Sequence, residues 1–209
     1  MGRTEIYAVT SAVVLAGLLG TTLWYASKSG PEDTFAACRT SKVAGGTGTI
    51  GGPFTLVDET GKTVTDAEVF TKPTLLYFGY TFCPDVCPAD TARNAEAVDL
   101  LQEGGYDVRP VFVSIDPERD TPQVVAEFTD YLHPDMLGLT GSPEQVKAAS
   151  QAYKTYFKKQ DGDDEYYLVD HSTFTYLVLP ETGFAEFFRR DVSPEQIAER
   201  TACFIDTSS

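Results

Sequence analysis

Residues 74–88 have the sequence TLLYFGYTFCPDVCP, and this stretch decides the fold. Its first part, residues 74–79, is a short apolar run that follows a proline and is typical of a buried strand. Residues 88–103 carry alanine, valine and leucine at helical spacing and end at a glycine pair, which is a common helix stop. The cysteines Cys83 and Cys87 are therefore predicted to lie between a buried strand and a helix.

The rest of the chain alternates strand and helix patterns and then closes with an antiparallel hairpin and a helix. This order predicts an α/β protein with a mixed central sheet flanked by helices, and it is compatible with a thioredoxin-like fold. Acidic residues 161–165, DGDDE, are predicted to form a solvated loop. The other predicted strands are 54–57, 108–115, 136–139, 166–169, 174–179 and 184–189, and the other predicted helices are 122–132, 142–157 and one beginning at 193–195.

The charge composition excludes some classes of partner. The 209 residues include 31 Asp and Glu against 16 Lys and Arg, which gives a net charge of −15. A polyanion of this kind repels nucleic acid phosphates and anionic lipid surfaces. We therefore expect no nucleic acid partner, and any membrane contact has to be hydrophobic.

The N-terminal segment predicts a membrane anchor. Residues 6–26 contain no charged side chain, and about 20 apolar residues span a bilayer core as a helix. The segment closes with Trp24 and Tyr25, which suit a membrane–water interface. We expect residues 1–28 to be a retained transmembrane anchor; a cleaved signal peptide and a buried core helix are the alternatives.

Such an anchor implies an exported domain. Residues 29–50 are mostly small and polar, and they are predicted to be a flexible tether to a C-terminal domain at residues 51–209. The Arg- and Ser-rich leader of a mitochondrial import sequence is missing, which favours a bacterial protein. The expected location is the bacterial inner membrane, with a single pass and the C-terminal domain in the periplasm.

Cys83 and Cys87 have a spacing that suits either redox or metal chemistry. Residues four apart lie on one helical face, about one turn apart. A helix N-terminus has free N–H groups and a positive dipole end, and both favour a thiolate. The pair can therefore close a disulfide or hold one ion from one side; two inert buried thiols are the structural alternative.

A metal site would need a third ligand, and the chain has two histidines, His133 and His171. His171 directly precedes an apolar strand, and site residues collect in loops at strand ends. His133 lies at a polar helix end, which suits a capping role, and a structural role remains the alternative for His171 too. Two thiolates and one imidazole suit copper(I), or copper(II) if a water or carboxylate joins, whereas structural zinc wants a fourth protein ligand.

Five separate stretches of the sequence belong to one pattern. They are residues 51–54 (GGPF) with Asp58 and Gly61, residues 77–88 (YFGYTFCPDVCP), residues 116–122 (DPERDTP), residues 138–141 (GLTG) and residues 170–172 (DHS). Together they resemble the Sco/SenC copper proteins, which help to assemble cytochrome c oxidase.

The resemblance implies a thioredoxin-like fold behind one membrane anchor. It also implies one copper ion held by Cys83, Cys87 and His171. The implied role is to take copper from a periplasmic donor and deliver it to the binuclear copper centre of cytochrome c oxidase subunit II, or to reduce the cysteines of that centre.

Two function classes follow. The first is a copper-delivery protein, which is a binding module and not an enzyme. The second is a thiol–disulfide oxidoreductase that cycles Cys83 and Cys87. His171 favours the first class, because dithiol exchange does not need a distant imidazole. A peroxiredoxin is disfavoured. A resemblance to that class would require a threonine three residues before the reactive cysteine and a proline seven residues before it, and neither Cys83 nor Cys87 has both.

Carboxylates near the predicted site allow two further hypotheses. Residues 116–122 form either a tight turn and helix start or a loop whose carboxylates tune the thiolates. Asp170 is expected to orient His171 by accepting its second ring N–H.

Cys38 and Cys203 are additions that the family pattern does not require. An exported compartment is oxidising, so unpaired cysteines there tend to pair. If Cys83 and Cys87 are kept for metal and redox work, only a Cys38–Cys203 disulfide remains. Two independent buried thiols are the alternative.

Overall fold

The structure, a computed structural model, describes residue 2 and residues 17–22, 24, 33–40, 47–162 and 166–208. It divides into two units, Met1–Ala37 and Cys38–Ser209. In the first unit, residues 17–22 are helical. Within the described part of the chain, no helix is long and apolar enough to cross a membrane. Most of the predicted anchor, much of the predicted tether and residues 163–165 lie outside the described residues.

The second unit contains a mixed α/β fold, as the alternating patterns predict. The strands are β1 (Thr55–Asp58), β2 (Thr63–Thr65), β3 (Thr74–Gly79), β4 (Arg109–Ser114), β5 (Leu137–Thr140), β6 (Phe157–Lys159), β7 (Val169–His171), β8 (Thr175–Leu179) and β9 (Gly183–Phe188). The helices are α1 (Asp66–Val69), α2 (Val86–Glu103), α3 (Pro122–Leu132), α4 (Pro143–Ala152) and α5 (Pro194–Ser208).

Seven strands form one sheet in the order β2-β1-β5-β4-β3-β8-β9. The central strands β3, β4 and β5 are parallel, and the strands on both sides of them are antiparallel to their neighbours. Every residue of β3 is buried, which is the reason for its continuous apolar sequence, since helices cover both faces of a parallel sheet. The predicted mixed central sheet is confirmed.

Local sequence signals account for the helix starts. The Thr121 hydroxyl accepts a hydrogen bond from the Val124 N–H at 3.4 Å, and Pro122 occupies the first turn of α3. Ser142 and Gln145 form a capping box at the start of α4.

The end of α4 differs from the sequence prediction. The helix ends at Ala152 instead of continuing to Phe157, and Lys154 has a φ of 53°. Phe157 instead begins β6, which pairs with β7 in a separate two-stranded sheet. The strand predicted at 166–169 is also shifted, to Val169–His171. Pairing between β6 and β7 overrides the local helical pattern.

Cys38 and Cys203 are joined by a disulfide, with a Cα–Cα distance of 5.8 Å. The residues after Cys38 also contact the C-terminal part of the domain. The Arg39 guanidinium donates to the Ala185 carbonyl, and Arg200 donates to the Thr40 hydroxyl at 2.7 Å. Residues 38–40 are therefore attached to α5 and β9 within the second unit.

Candidate metal centre

The site forms where β3 ends and α2 begins. Cys83 lies in the connecting loop, and Cys87 lies in the first turn of α2. The Sγ atoms of both cysteines and a ring nitrogen of His171 lie within 4.8 Å of one another. Cys83 is 9% exposed and Cys87 is fully buried. The structure thus brings together the three residues that the sequence identified as ligand candidates.

Pairing between β6 and β7 places His171 beside the cysteines. His171 lies opposite Phe157 in this pair. Beyond this pair, the Ser172 N–H donates to the Tyr156 carbonyl at 2.9 Å, and the Ser172 hydroxyl accepts from the Tyr156 N–H at 3.0 Å. The Val169 N–H donates to the Tyr80 hydroxyl at 3.3 Å, which ties β7 to the loop that carries Cys83.

The hydrogen bonds of His171 determine which ring nitrogen faces the cysteines. Nδ1 lies 2.8 Å from the Ser172 carbonyl oxygen. A carbonyl oxygen only accepts, so Nδ1 carries the proton in the neutral ring. Nε2 is then left with its lone pair, 3.3 Å from the Cys87 Sγ. Burial lowers the pKa of His171, so the ring is neutral and able to bind a metal at neutral pH.

The hypothesis that Asp170 orients His171 is wrong. The proton on Nδ1 goes to the Ser172 carbonyl, and Asp170 instead accepts a hydrogen bond from the Gln160 amide at 2.6 Å. Side chains alternate across a strand, so neighbouring residues of β7 point to opposite faces.

The two thiols have different electrostatic surroundings. Burial raises the pKa of Cys83, but the backbone N–H groups of Asp85, Cys87 and Val86 stabilise its thiolate and make the net shift downward. Burial raises the pKa of Cys87, and a negative charge on Cys83 raises it further. Cys83 is therefore the thiol that ionises first, and Cys87 stays protonated until a metal displaces its proton.

Gly79 allows Cys87 to approach the end of β3. A Cβ at this position would lie 3.1 Å from the Cys87 Sγ and 2.9 Å from the Tyr77 ring. Both neighbours are buried, so neither has room to move away. The absence of a side chain at Gly79 is a requirement of the site.

Asp120 holds the loop that carries Cys83. Its fully buried carboxylate accepts hydrogen bonds from the Thr81 N–H at 3.0 Å, the Thr81 hydroxyl at 2.6 Å and the Ser114 hydroxyl at 2.6 Å. Burial raises the pKa of Asp120 above its ordinary value, although these hydrogen bonds act in the opposite direction by stabilising the carboxylate. Sequence reasoning missed this role, because no local signal indicates a contact between residues 39 positions apart.

Residues 116–122 do serve as the helix start that one hypothesis proposed, and they also contain a second buried carboxylate. Asp116 accepts from Arg119 Nε at 2.6 Å and from the Tyr167 hydroxyl at 2.5 Å. The guanidinium of Arg119 lies 3.5 Å from the centre of the Tyr167 ring. This loop supports the walls of the site by packing.

His133 lies apart from the site and has a structural environment. Its Nε2 faces an Asp99 carboxylate oxygen at 3.2 Å, and its Nδ1 accepts from the Asp135 N–H at 3.0 Å. It is not part of the Cys83, Cys87 and His171 group.

Comparison with known proteins identifies the class to which this arrangement belongs. The SCO1/SenC family model matches residues 43–206. Protein SenC of Rhodobacter capsulatus is 52% identical over 208 residues, which cover 98% of this chain and 91% of that protein. The chain therefore belongs to the SCO1/SenC family, and the resemblance seen in the sequence is confirmed.

Solved structures show the same fold. The crystal structure of Arabidopsis thaliana ScoI with copper bound matches with a TM-score of 0.72 and 43% identity, over 75% of this chain and 99% of that one. BsSco, described as a member of the Sco family of cytochrome c oxidase assembly proteins with a disulfide switch, matches with a TM-score of 0.57 and 25% identity, over 73% of this chain and 91% of that one.

Proposed function

We propose that this protein binds one copper ion through Cys83, Cys87 and His171 and delivers it to the binuclear copper centre of cytochrome c oxidase subunit II. One observation carries the proposal: three donor atoms from a loop, a helix and a distant strand lie within 4.8 Å of one another. The copper-bound structure of the Arabidopsis relative supports the choice of metal.

The donor set fits copper(I). Two thiolates and one neutral imidazole are soft or borderline ligands, and copper(I) accepts three of them. Among the described residues, no fourth His, Cys, Asp or Glu joins this group, whereas a structural zinc ion needs four protein ligands. Copper(II) would require an added water or carboxylate.

Delivery proceeds by ligand exchange. Of the two cysteines, Cys83 is the more exposed and Cys87 is fully buried. An incoming thiolate takes the place of Cys83 first, and Cys87 releases the ion afterwards. A copper donor in the periplasm loads the site by the reverse order of steps.

The protein works from the bacterial inner membrane, with residues 1–28 as the anchor and the domain in the periplasm. The uncharged run at residues 6–26 supports the anchor. The Cys38–Cys203 disulfide supports an oxidising compartment. Fractionation of cells tests this: the full chain should stay with the membrane after carbonate extraction, and release into the soluble fraction would contradict the anchor.

The alternative function, reduction of the cysteines of the same oxidase centre, also has an observation in its favour. Cys83 has a lowered pKa, and Cys87 lies close enough to form a disulfide with it. The Cys83 thiolate would attack the acceptor disulfide, and Cys87 would then resolve the mixed disulfide. Two electrons pass to the acceptor, and a Cys83–Cys87 disulfide remains.

Anaerobic copper(I) titration of the full chain in mild detergent separates the two functions. We expect wild type to bind one copper ion, and His171→Ala to lower the affinity by about 100-fold or more, since even residues that only support a ligand contribute 10–100-fold. His133→Gln is the matched histidine control and should bind copper as wild type does, because His133 is not part of the ligand group. If His171→Ala keeps full copper affinity, His171 is not a ligand. The same variant is also assayed for disulfide reduction. If His171→Ala reduces a disulfide at the wild-type rate, the imidazole serves copper binding alone.

A further inference from the structure

Three exposed apolar side chains border the opening of the metal centre. Phe82, Tyr166 and Leu168 are 51%, 68% and 45% exposed, and we call them the apolar rim. A cavity of about 260 Å³ is lined by both Cys83 and His171, and Leu168 forms part of its wall. Leu168 therefore joins the apolar rim to the site where copper would be exchanged, and Phe82, which directly precedes Cys83, and Tyr166 lie outside the cavity lining.

Contacts with neighbouring side chains hold the Phe82 ring of the apolar rim in place. The Phe82 ring contacts the Tyr166 ring edge-on, with 6.3 Å between centroids. It also lies 4.7 Å from the guanidinium of Arg119, and that side chain is anchored by Asp116. Rigid exposed aromatic side chains make good binding hot spots, because little conformational entropy is lost when a partner covers them.

The cavity beside the apolar rim has acidic side chains in its wall, and Arg119, which contacts Phe82, is paired with the Asp116 carboxylate. The exposed carboxylates of Asp85 and Asp170 line the same cavity, and its described lining contains no lysine or arginine. A partner that covers this surface needs basic groups around an apolar centre.

We propose that the apolar rim is the docking surface for the protein that accepts copper from this site, and that the acceptor presents an apolar patch ringed by Lys or Arg beside its own thiolates. This proposal rests on the proposed function. Cys83 is only 9% exposed and Cys87 is fully buried. An acceptor thiolate therefore reaches the copper ion only if its protein makes contact across the rim.

Copper transfer to a protein acceptor tests this surface. The full chain, loaded with copper(I), is mixed with the soluble copper domain of oxidase subunit II, and the transfer rate is measured by stopped flow. We expect Phe82→Ser and Tyr166→Ser each to slow transfer by about 10-fold or more, as loss of a hot-spot aromatic does. Phe82→Tyr should keep the wild-type rate.

Two controls separate docking from copper binding. Tyr131→Ser removes an aromatic side chain that is 88% exposed on α3 and takes no part in the Phe82–Tyr166 ring contact or in the cavity lining that includes Leu168, so it should leave the rate unchanged. Transfer to a small copper(I) chelator needs no docking and should be equal in all variants, and added salt should slow only the transfer to protein. If Phe82→Ser and Tyr166→Ser both transfer copper at the rate of Tyr131→Ser, the apolar rim is not the docking surface, and the proposed function is unaffected. Absence of transfer by wild type would overturn the proposed function, and the rim with it.

Discussion

Removal of the Cys38–Cys203 disulfide should destabilise the domain strongly while leaving its native contacts in place. The double variant Cys38→Ser/Cys203→Ser keeps the bonds that the neighbouring residues make, since Arg39 still reaches the Ala185 carbonyl and Thr40 still bonds to Arg200. The effect therefore falls mainly on the unfolded chain, which gains freedom when its ends are released.

The sequence separation of the two cysteines sets the magnitude. They are 165 residues apart, and the chain-entropy model gives about 5 kcal/mol for a loop of this length. For a domain of this size, each kcal/mol shifts the melting temperature by about 2–4 °C, so we expect a decrease of roughly 10–20 °C. A loss of this size is a large part of the 5–15 kcal/mol typical of a folded domain.

Guanidinium denaturation without reductant measures the change. The matched control is Cys83→Ser/Cys87→Ser, which removes the two free thiols; because both side chains are buried, it should cost about 1–3 kcal/mol, less than the disulfide variant. Reductant added to wild type should reproduce the disulfide variant. A loss below about 1 kcal/mol would refute the entropy argument, and alkylation of both Cys38 and Cys203 without prior reduction would refute the disulfide itself.

Three further perturbations probe the metal centre. Gly79→Ala should destabilise the protein by about 1–3 kcal/mol through overpacking, measured as a lower denaturation midpoint, and should weaken copper binding. Gly48→Ala is the control and should be neutral, because its Cβ would meet nothing within 4 Å. Asp120→Ala leaves three donors unpaired and should cost about 3 kcal/mol or more; Asp107→Ala, which breaks an exposed ion pair, should cost less than about 1 kcal/mol in the same assay. Burial holds the pKa of His171 below its ordinary 6.5. As the pH falls, the unfolded chain therefore takes up a proton at this residue before the folded protein does. The metal-free protein should lose stability as the pH falls from 6.5 towards the folded pKa. His171→Ala should flatten that slope, and an equal slope in both proteins would contradict the burial of a neutral imidazole.

Several features of the domain were predictable because they depend on neighbouring residues. The apolar run at residues 74–79 matches β3, and the cysteine spacing together with the following helical pattern matches the start of α2. Ser142 with Gln145 marks the beginning of α4. Strand periodicity, helix periodicity and capping act over a few residues, so the sequence alone predicts them.

The arrangement around the metal centre depends on contacts between distant residues. Cys87 and His171 are 84 positions apart, yet their ligand atoms lie at 3.3 Å. Local pattern identified His171 as a ligand candidate but misassigned its support, since Ser172 and not Asp170 takes its ring proton. The reason is register: the pairing of β6 with β7 decides which face each side chain occupies.

The sequence by itself determined the spacing of Cys83 and Cys87, their position between a strand and a helix, and the mixed α/β class, because each of these follows from local patterning. Only the tertiary structure decided that α4 gives way to β6, that β6 carries the histidine strand to the cysteines, and that Asp120 holds Thr81 across 39 positions. These contacts form when separate elements pack into one core, and the free energy that selects them comes from that packing and not from any single segment.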